Sequence, residues 1–376
     1  MRLGLAFVVS VLSSAAVTWA ACGLRERPHV DGSGGGSDTG GGATENTTSG
    51  FVSDGASICG SDVHHPVTHP PLVYFVIDRS GSMSELDVDS GDSRYSRVVE
   101  AAVTMVDELG ALVRAGAAVF PHPDADLEDE CPAGVEVYAP KIGAGPNSFE
   151  NAIDTEPFGG TPIGATLEAV TDKILEEDGP RAVILATDGA PNCNPDTSCG
   201  PENCMVNLAG ECPPDIENCC DPEVGGTPLN CVDRQATVLA VQTLANAGAD
   251  VYVVGIPGSE QFSAVLDQMA VVGGVPQEGA ETYYYRVDEL DTLSELFKSI
   301  GASLVSCTYD LEDPPEAPGK TNVYFDGSVV LQDSENGWVW VDEDTIELVG
   351  AACQKLKTGK VTEVQIVSGC PTETPK

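Results

Sequence analysis

Apolar runs of strand length alternate with amphipathic helical patterns from Leu72 to Ser306. The continuous run LVYFVI at 72–77 is typical of a strand that is covered on both faces of a sheet. Further strands are predicted at 115–120, 135–139, 181–187, 250–256 and 282–287, and helices at 94–109, from Thr161-Pro162 to about Glu177, at 232–247, after a capping Ser259, and from Asp288 to about Val305. This alternation predicts an α/β fold, a doubly wound and mostly parallel sheet flanked by helices.

Two segments depart from that pattern. Residues 193–231 contain seven cysteines and seven carboxylates but neither Lys nor Arg, which predicts a disulfide-stapled acidic insertion that hangs over the strand ends after Asp188. After Cys307 the sequence changes to β-branched and aromatic runs with an Asp-Gly turn. We therefore expect domains at 58–306 and 307–376, the second a small all-β module with no helix.

The N-terminus is typical of an exported protein. Residues 1–21 have one Arg and an apolar core from Leu3 to Leu12, which predicts a secretory signal peptide. The small residues before Cys22 resemble the lipobox of bacterial lipoproteins, with ordinary cleavage after Ala20 as the alternative. Residues 22–57 would then be a lipidated cysteine and a Gly/Ser-rich tether. Gly23 favours the outer membrane or cell surface by analogy with enterobacterial sorting, and a secreted or periplasmic protein is the alternative.

Charge and cysteine content narrow the function classes. A net charge of −41 argues against nucleic-acid binding and against adhesion to anionic lipids, and it favours a cationic or divalent partner. Of 13 cysteines, 12 remain if Cys22 carries lipid, an even number that fits disulfides in an oxidising compartment.

The disulfide candidates are Cys59, Cys131, Cys193, Cys199, Cys204, Cys212, Cys219, Cys220, Cys231, Cys307, Cys353 and Cys370. We expect Cys59–Cys307, because the domain ends should meet, and Cys353–Cys370 to clip the last hairpin. Cys131 would join the seven cysteines of the insertion.

Oxygen-bearing side chains follow the predicted strands or begin a helix at five positions: Asp78, Ser80, Ser82, Thr161 and Asp188. The two aspartates end strands, so both should open onto the carboxyl edge of the sheet. Carboxylates and hydroxyls are hard donors that suit Mg²⁺, Mn²⁺ or Ca²⁺ rather than zinc. In the alternative interpretation Thr161-Pro162 is only a helix cap and Asp188-Gly189 only a turn.

The motifs DRSGS, GGTPIG and ATDG resemble the three loops of the metal-ion-dependent adhesion site in von Willebrand factor type A domains, and the resemblance covers about 72–306. It implies a divalent cation, most often Mg²⁺, touched directly by Ser80, Ser82 and Thr161. Asp78 and Asp188 would act directly or through water. A partner's Asp or Glu commonly completes such a site, although the acidic insertion would repel an acidic partner at long range.

The sequence thus favours a surface-anchored, cation-dependent binding module for a protein or matrix ligand. Two alternatives stay open: a structural envelope lipoprotein whose cation is only stabilising, and a hydrolase that activates water on the metal. Of the five histidines only His122 falls in the α/β body and none falls in the site loops, so we expect no enzyme activity.

Overall fold

The computed structural model describes residues 62–64, 66–67, 70–87, 90–126, 131–201, 204–205, 208, 214–361 and 363–375. The predicted signal peptide and tether, together with Cys22, Cys59 and Cys212, lie outside the described residues. Within the described ranges, no helix is both long and apolar enough to cross a bilayer.

Strands and helices alternate in the first two thirds of the described chain. The strands are β1 (Asp62–His64), β2 (Pro66–Val67), β3 (Leu72–Asp78), β4 (Arg114–Phe120), β5 (Val135–Ile142), β6 (Arg181–Thr187), β7 (Ala249–Gly255), β8 (Tyr285–Arg286), β9 (Thr308–Leu311), β10 (Thr321–Phe325), β11 (Ser328–Val330), β12 (Trp338–Trp340), β13 (Thr345–Leu348) and β14 (Val364–Ser368). The helices are α1 (Arg94–Leu109), α2 (Pro146–Ile153), α3 (Ile163–Leu175), α4 (Arg234–Asn246), α5 (Ser263–Val272), α6 (Leu293–Leu304) and α7 (Gly350–Lys357).

The main sheet has the order β5-β4-β3-β6-β7-β8, with β5 antiparallel and the other neighbours parallel. All seven residues of the central strand β3 are buried. Helices α1, α2 and α6 pack on one face, and α3, α4 and α5 pack on the other. The predicted doubly wound α/β fold is confirmed, and this is the architecture that the resemblance implies.

Some predicted details differ. Helix α2 was not foreseen, and the last strand of the sheet is shorter than 282–287. Ser259 caps no helix, because its hydroxyl is buried and makes no hydrogen bond with any residue that the structure describes. Asp288 likewise caps nothing: it accepts a hydrogen bond from Arg286 at 2.7 Å, and α6 begins several residues later.

The insertion is held by disulfides. Cys131 bonds Cys193, as expected for a cysteine outside the insertion that joins it. Inside it, Cys199 bonds Cys231 and Cys204 bonds Cys220, and Cys219 is also disulfide-bonded. The sulfurs of Cys199, Cys220 and Cys231 lie within 4.8 Å of one another, but as disulfides they offer no thiolate to a metal.

The C-terminal module consists of two four-stranded antiparallel sheets, β1-β14-β10-β11 and β12-β13-β9-β2. The prediction of no helix is wrong, because α7 follows β13 and buries Ala352 and Leu356, four residues apart on one face. The lead-in strands β1 and β2 pair with β14 and β9, so the module includes residues that precede the main sheet.

Two expected disulfides are also wrong, because Cys307 bonds Cys353 and so neither Cys59–Cys307 nor Cys353–Cys370 forms. The pairing of β13 with β9 brings the start of α7 beside the residue that precedes β9. Proximity within the module thus decides the partner of Cys307. Cys370 is disulfide-bonded as well.

Candidate metal site at the carboxyl edge of the sheet

Four of the five predicted residues, Ser80, Ser82, Thr161 and Asp188, line one cleft of about 510 Å³ at the carboxyl edge of the sheet. The fifth, Asp78, ends the neighbouring strand β3 and is fully buried, so it lies behind the cleft wall. The structure therefore brings the three sequence motifs together, and their role as metal ligands stays a prediction.

The first loop presents two hydroxyls side by side. Its backbone turns at Ser80, whose N–H donates to Asp78 Oδ1 at 2.7 Å, and a short 3₁₀ turn follows over Gly81–Ser84. The hydroxyls of Ser80 and Ser82 are 3.2 Å apart. Gly81 N–H donates to the carbonyl of Gly159 at 2.9 Å, which ties the first loop to the second.

Each carboxyl oxygen of Asp78 accepts a hydrogen bond. Besides the bond from Ser80, its Oδ2 accepts a hydrogen bond from the Thr187 hydroxyl at 2.5 Å. Burial, and after it the nearby charge of Asp188, together raise the pKa of Asp78 from 3.8 to about 7, against the lowering effect of the hydrogen bonds from Thr187 and Ser80. A divalent cation in the cleft would favour the ionised form.

Asp188 is almost fully buried and has a partner on each oxygen. Its Oδ1 accepts from the Ser82 hydroxyl at 2.7 Å, and its Oδ2 pairs with Nη1 of Arg94 at 2.7 Å. Burial raises the pKa of Asp188, while Ser82 and Arg94 act against that rise. The other nitrogen of the guanidinium, Nη2, pairs with Glu85 at 2.6 Å.

Thr161 is positioned from the side of the insertion. Its N–H donates to Asn192 Oδ1 at 2.7 Å, and Asn192 N–H donates to the Thr161 carbonyl at 3.0 Å. The preceding residue, Gly160, packs on the disulfide: a Cβ there would lie 2.3 Å from Cys193 Sγ and 3.0 Å from Cys131 Sγ. The insertion thus reaches the second motif loop directly.

Arg79 connects the surrounding loops through hydrogen bonds to their backbone carbonyls. It is 3% exposed, and its guanidinium donates to the carbonyls of Pro121, His122 and Glu156 at 2.5–3.1 Å. Its own carbonyl accepts from Phe158 N–H at 2.7 Å. Since the residue lies between the first two motif positions, it couples the first loop to the loops on either side.

The donor set fits a hard divalent cation. Three hydroxyls and two carboxylates converge, and the described residues that line the cleft include neither a histidine nor a cysteine. Asp188 has both oxygens engaged, which favours its action through Ser82 or water rather than as a free ligand. Four residues that build this network were missed from the sequence: Arg79, Arg94, Thr187 and Asn192.

Comparisons with known proteins assign no family. No protein-family model matches the chain, and no curated protein matches it. Solved structures that resemble it include a pilus adhesin of Lactobacillus rhamnosus GG, at 14% identity over 81% of this chain, with a TM-score of 0.46. This chain spans only 39% of that adhesin's length.

Two further similar structures contain a domain or a metal site of this kind. The vWF domain of the type V pilus tip protein of Porphyromonas gingivalis is 13% identical over 63% of this chain and 96% of its own, with a TM-score of 0.44. Proximal thread matrix protein 1 of the mussel byssus has a zinc-occupied MIDAS (metal-ion-dependent adhesion site) motif. It is 17% identical over 61% of this chain and 44% of its own, with a TM-score of 0.37. At these scores the similarities assign no function, and the interpretation of the site rests on its own geometry.

Proposed function

We propose that this chain is a divalent-cation-dependent adhesion module that holds a protein or matrix ligand at the cleft. The observation that carries the proposal is the convergence of Ser80, Ser82, Thr161 and Asp188, from three separate loops, on one cleft beside the buried carboxylate of Asp78. The three hydroxyls would hold Mg²⁺, with Asp188 acting through Ser82 or water, and positions would stay open toward solvent. The cation would supply a positive centre for an oxygen ligand of the partner.

Binding, rather than catalysis, is the role that we propose. Both aspartates are engaged: Asp78 accepts from Ser80 and Thr187, and Asp188 accepts from Ser82 and Arg94. Carboxylates held in this way orient neighbouring groups and are poorly placed to remove a proton from a substrate.

The predicted export signal and Cys22 complete the proposal. A lipid on Cys22, followed by the predicted Gly/Ser-rich tether of 22–57, would display the module on the outer membrane or surface of a bacterial cell. A secreted or periplasmic form is the alternative if cleavage follows Ala20. Either location is oxidising, in agreement with the disulfides of the described part of the chain.

Calorimetric titration of the soluble chain (22–376 with Cys22→Ser) with Mg²⁺, Mn²⁺ and Ca²⁺ tests the cation site. We expect one saturable site that is lost in Ser80→Ala and kept in Ser84→Ala, a serine of the same turn that does not line the cleft. Absence of binding in the parent chain would overturn the proposal.

A second experiment separates adhesion from a purely stabilising cation. The burial of Asp78 and Asp188 inside a hydrogen-bond network favours the purely stabilising role, since a cation in the cleft would stabilise the ionised form of buried Asp78. The chain is displayed on bacterial cells, and attachment to immobilised matrix proteins is measured with and without chelator. Attachment that is abolished by chelator supports adhesion, whereas attachment that persists after the cation is removed supports the structural role.

A further inference from the structure

Arg94 is the one basic side chain among the described residues that line the metal cleft. Its side chain is 17% exposed, and it stands in a chain whose net charge is −41. A guanidinium presents a planar fork of donors that matches a carboxylate. As the one basic group among these lining residues, Arg94 marks the point of the cleft at which a carboxylate can be paired.

Helix stability does not explain Arg94. It is the first residue of α1, where the positive end of the helix dipole disfavours a cation, and the first turn contains no acidic residue. The helix is already capped, because the Ser93 side chain accepts from Ser96 N–H. The position of Arg94 is therefore set by the two carboxylates that it contacts in the cleft.

Those two carboxylates are not equivalent. The Asp188 side chain is 0% exposed and accepts a hydrogen bond from Ser82, so breaking its pairing with Nη1 would leave a buried charge unpaired. The Glu85 side chain is 63% exposed, and an exposed ion pair contributes little to stability. The Nη2 side of Arg94 is thus occupied by a carboxylate that another carboxylate can replace.

The backbone next to Arg94 leaves room for its guanidinium, because the neighbouring residue is a glycine. Gly258 has a φ of +110°, and a Cβ at this position would lie 2.9 Å from Arg94 Nη1 and 3.2 Å from the Asp188 carbonyl. A side chain there would push the guanidinium away from Asp188. The glycine keeps Arg94 against the cleft wall, with its second nitrogen directed to the exposed Glu85.

We propose that Arg94 binds a carboxylate of the partner beside the cation, and that Glu85 holds this position as an intramolecular stand-in until the partner arrives. The inference rests on the proposed function and adds to it a residue of this chain that would select an acidic side chain or a chain-terminal carboxylate of the partner. Attraction at contact distance by the guanidinium and cation operates well inside the screening length of about 8–10 Å that weakens repulsion from the acidic insertion.

The test measures binding of N-acetyl-aspartate methylamide, and of its uncharged asparagine analogue, to the Mg²⁺-saturated soluble chain by NMR. Glu85→Gln, which leaves Arg94 intact, should strengthen binding of the charged probe about two- to fivefold by removing the stand-in. Arg94→Gln should weaken it about tenfold or more. The Nε–H resonance of Arg94 should shift when the charged probe is added and stay in place with the uncharged one.

Matched controls come from an exposed pair outside the cleft. Arg286→Gln and Asp288→Asn remove an Arg–Asp contact of 2.7 Å and should leave probe binding unchanged. Arg94→Lys retains the positive charge beside Asp188 and loses the fork, so it should fold and still bind the probe more weakly than the parent chain.

The outcomes separate the two proposals. If the parent chain binds no Mg²⁺, the proposed function fails and this inference fails with it. If Mg²⁺ binds and the Glu85 and Arg94 variants bind the charged probe as the parent does, the role of Arg94 is overturned and the cation site stands. Failure of the charged probe to bind any Mg²⁺-loaded variant overturns it as well.

Discussion

Asn192 and Thr161 are joined by two hydrogen bonds in opposite directions, one of 2.7 Å through the Asn192 side chain and one of 3.0 Å between main-chain groups. The same side chain donates through Nδ2 to the Leu229 carbonyl at 3.2 Å. Asn192 therefore links Leu229, near the C-terminal end of the insertion, to Thr161 in the second motif loop. Through Asn192, the stability of the insertion and the position of Thr161 depend on each other.

Replacement of Asn192 by Ala should weaken divalent-cation binding by about tenfold or more, which is typical of the loss of a residue that orients a ligand. The Thr161 N–H would lose its buried acceptor, so the thermal midpoint should fall too. Calorimetry with Mg²⁺ measures the first effect. Asn194→Ala, two residues away and with an exposed side-chain bond to Asp196 N–H, is the control and should bind as the parent does.

Removal of the Cys131–Cys193 disulfide, by changing both residues to Ala, should lower stability by about 2–5 kcal/mol and weaken cation binding. The second effect is expected because the disulfide packs directly on Gly160, the neighbour of Thr161. The matched control is the Cys307/Cys353 pair of the β module changed to Ala. That variant should lose stability with unchanged affinity, and equal loss of affinity in both variants would contradict the prediction.

Gly160→Ala should reduce cation affinity and destabilise the fold by about 1–3 kcal/mol, because its Cβ would meet Cys193 Sγ at 2.3 Å. Gly319→Ala introduces the same methyl group where no atom of the described part of the chain lies within 4 Å, and it should be neutral or slightly stabilising. Thermal unfolding with and without Mg²⁺ compares the two. A harmless Gly160→Ala would show that the loop is not fixed by this contact.

Stabilisation by Mg²⁺ should grow between pH 5 and pH 8. Asp78 has its pKa raised from 3.8 to about 7, so from pH 5 to about pH 7 the folded, metal-free protein holds a proton that the unfolded chain has released. The stability that this proton contributes is lost as the pH rises through the window, and the carboxylate that Mg²⁺ needs appears at the same time. The thermal midpoint with and without Mg²⁺, measured at both pH values, checks the prediction.

The variant Asp78→Asn provides the corresponding control. Without the buried carboxyl, the metal-free protein should be more stable than the parent at pH 8, with a smaller difference at pH 5. Mg²⁺ should then add little at either pH. Equal stabilisation of the parent by Mg²⁺ at both pH values would mean that Asp78 does not control the site.

Much of the fold was accessible from the sequence because its determinants are local. Buried strands such as 72–77 and 181–187 are continuous apolar runs, and α1 shows a full helical repeat of buried positions. The β module was harder, because its sheets include β1 and β2 from the other end of the described chain. No local pattern indicates such pairing, and for the same reason the disulfide partner of Cys307 was wrong.

The residues of the candidate site could likewise be predicted only in part from the sequence. Residues that follow strand ends, such as Asp78 and Asp188, could be placed at the sheet edge from position alone. Arg94 and Asn192 could not, because their contacts with the site span long separations in sequence: 94 residues in one case and 31 in the other. Thr187 carried a usable signal, since it directly precedes Asp188 at the end of a strand beside β3.

The central strand β3 leads from the lead-in strands to Asp78 at the cleft, with parallel neighbours on both sides. If the chain is tethered at its N-terminus and binds a partner through the cation, as proposed, tension would reach β3 through the lead-in strands β1 and β2, which pair with β14 and β9. A pull along β3 would have to slide this strand past its two parallel neighbours. Many hydrogen bonds between the strands must break together before β3 can move. The strength of the attachment under flow would therefore be set by the contact at the cation, while the sheet behind it stays folded.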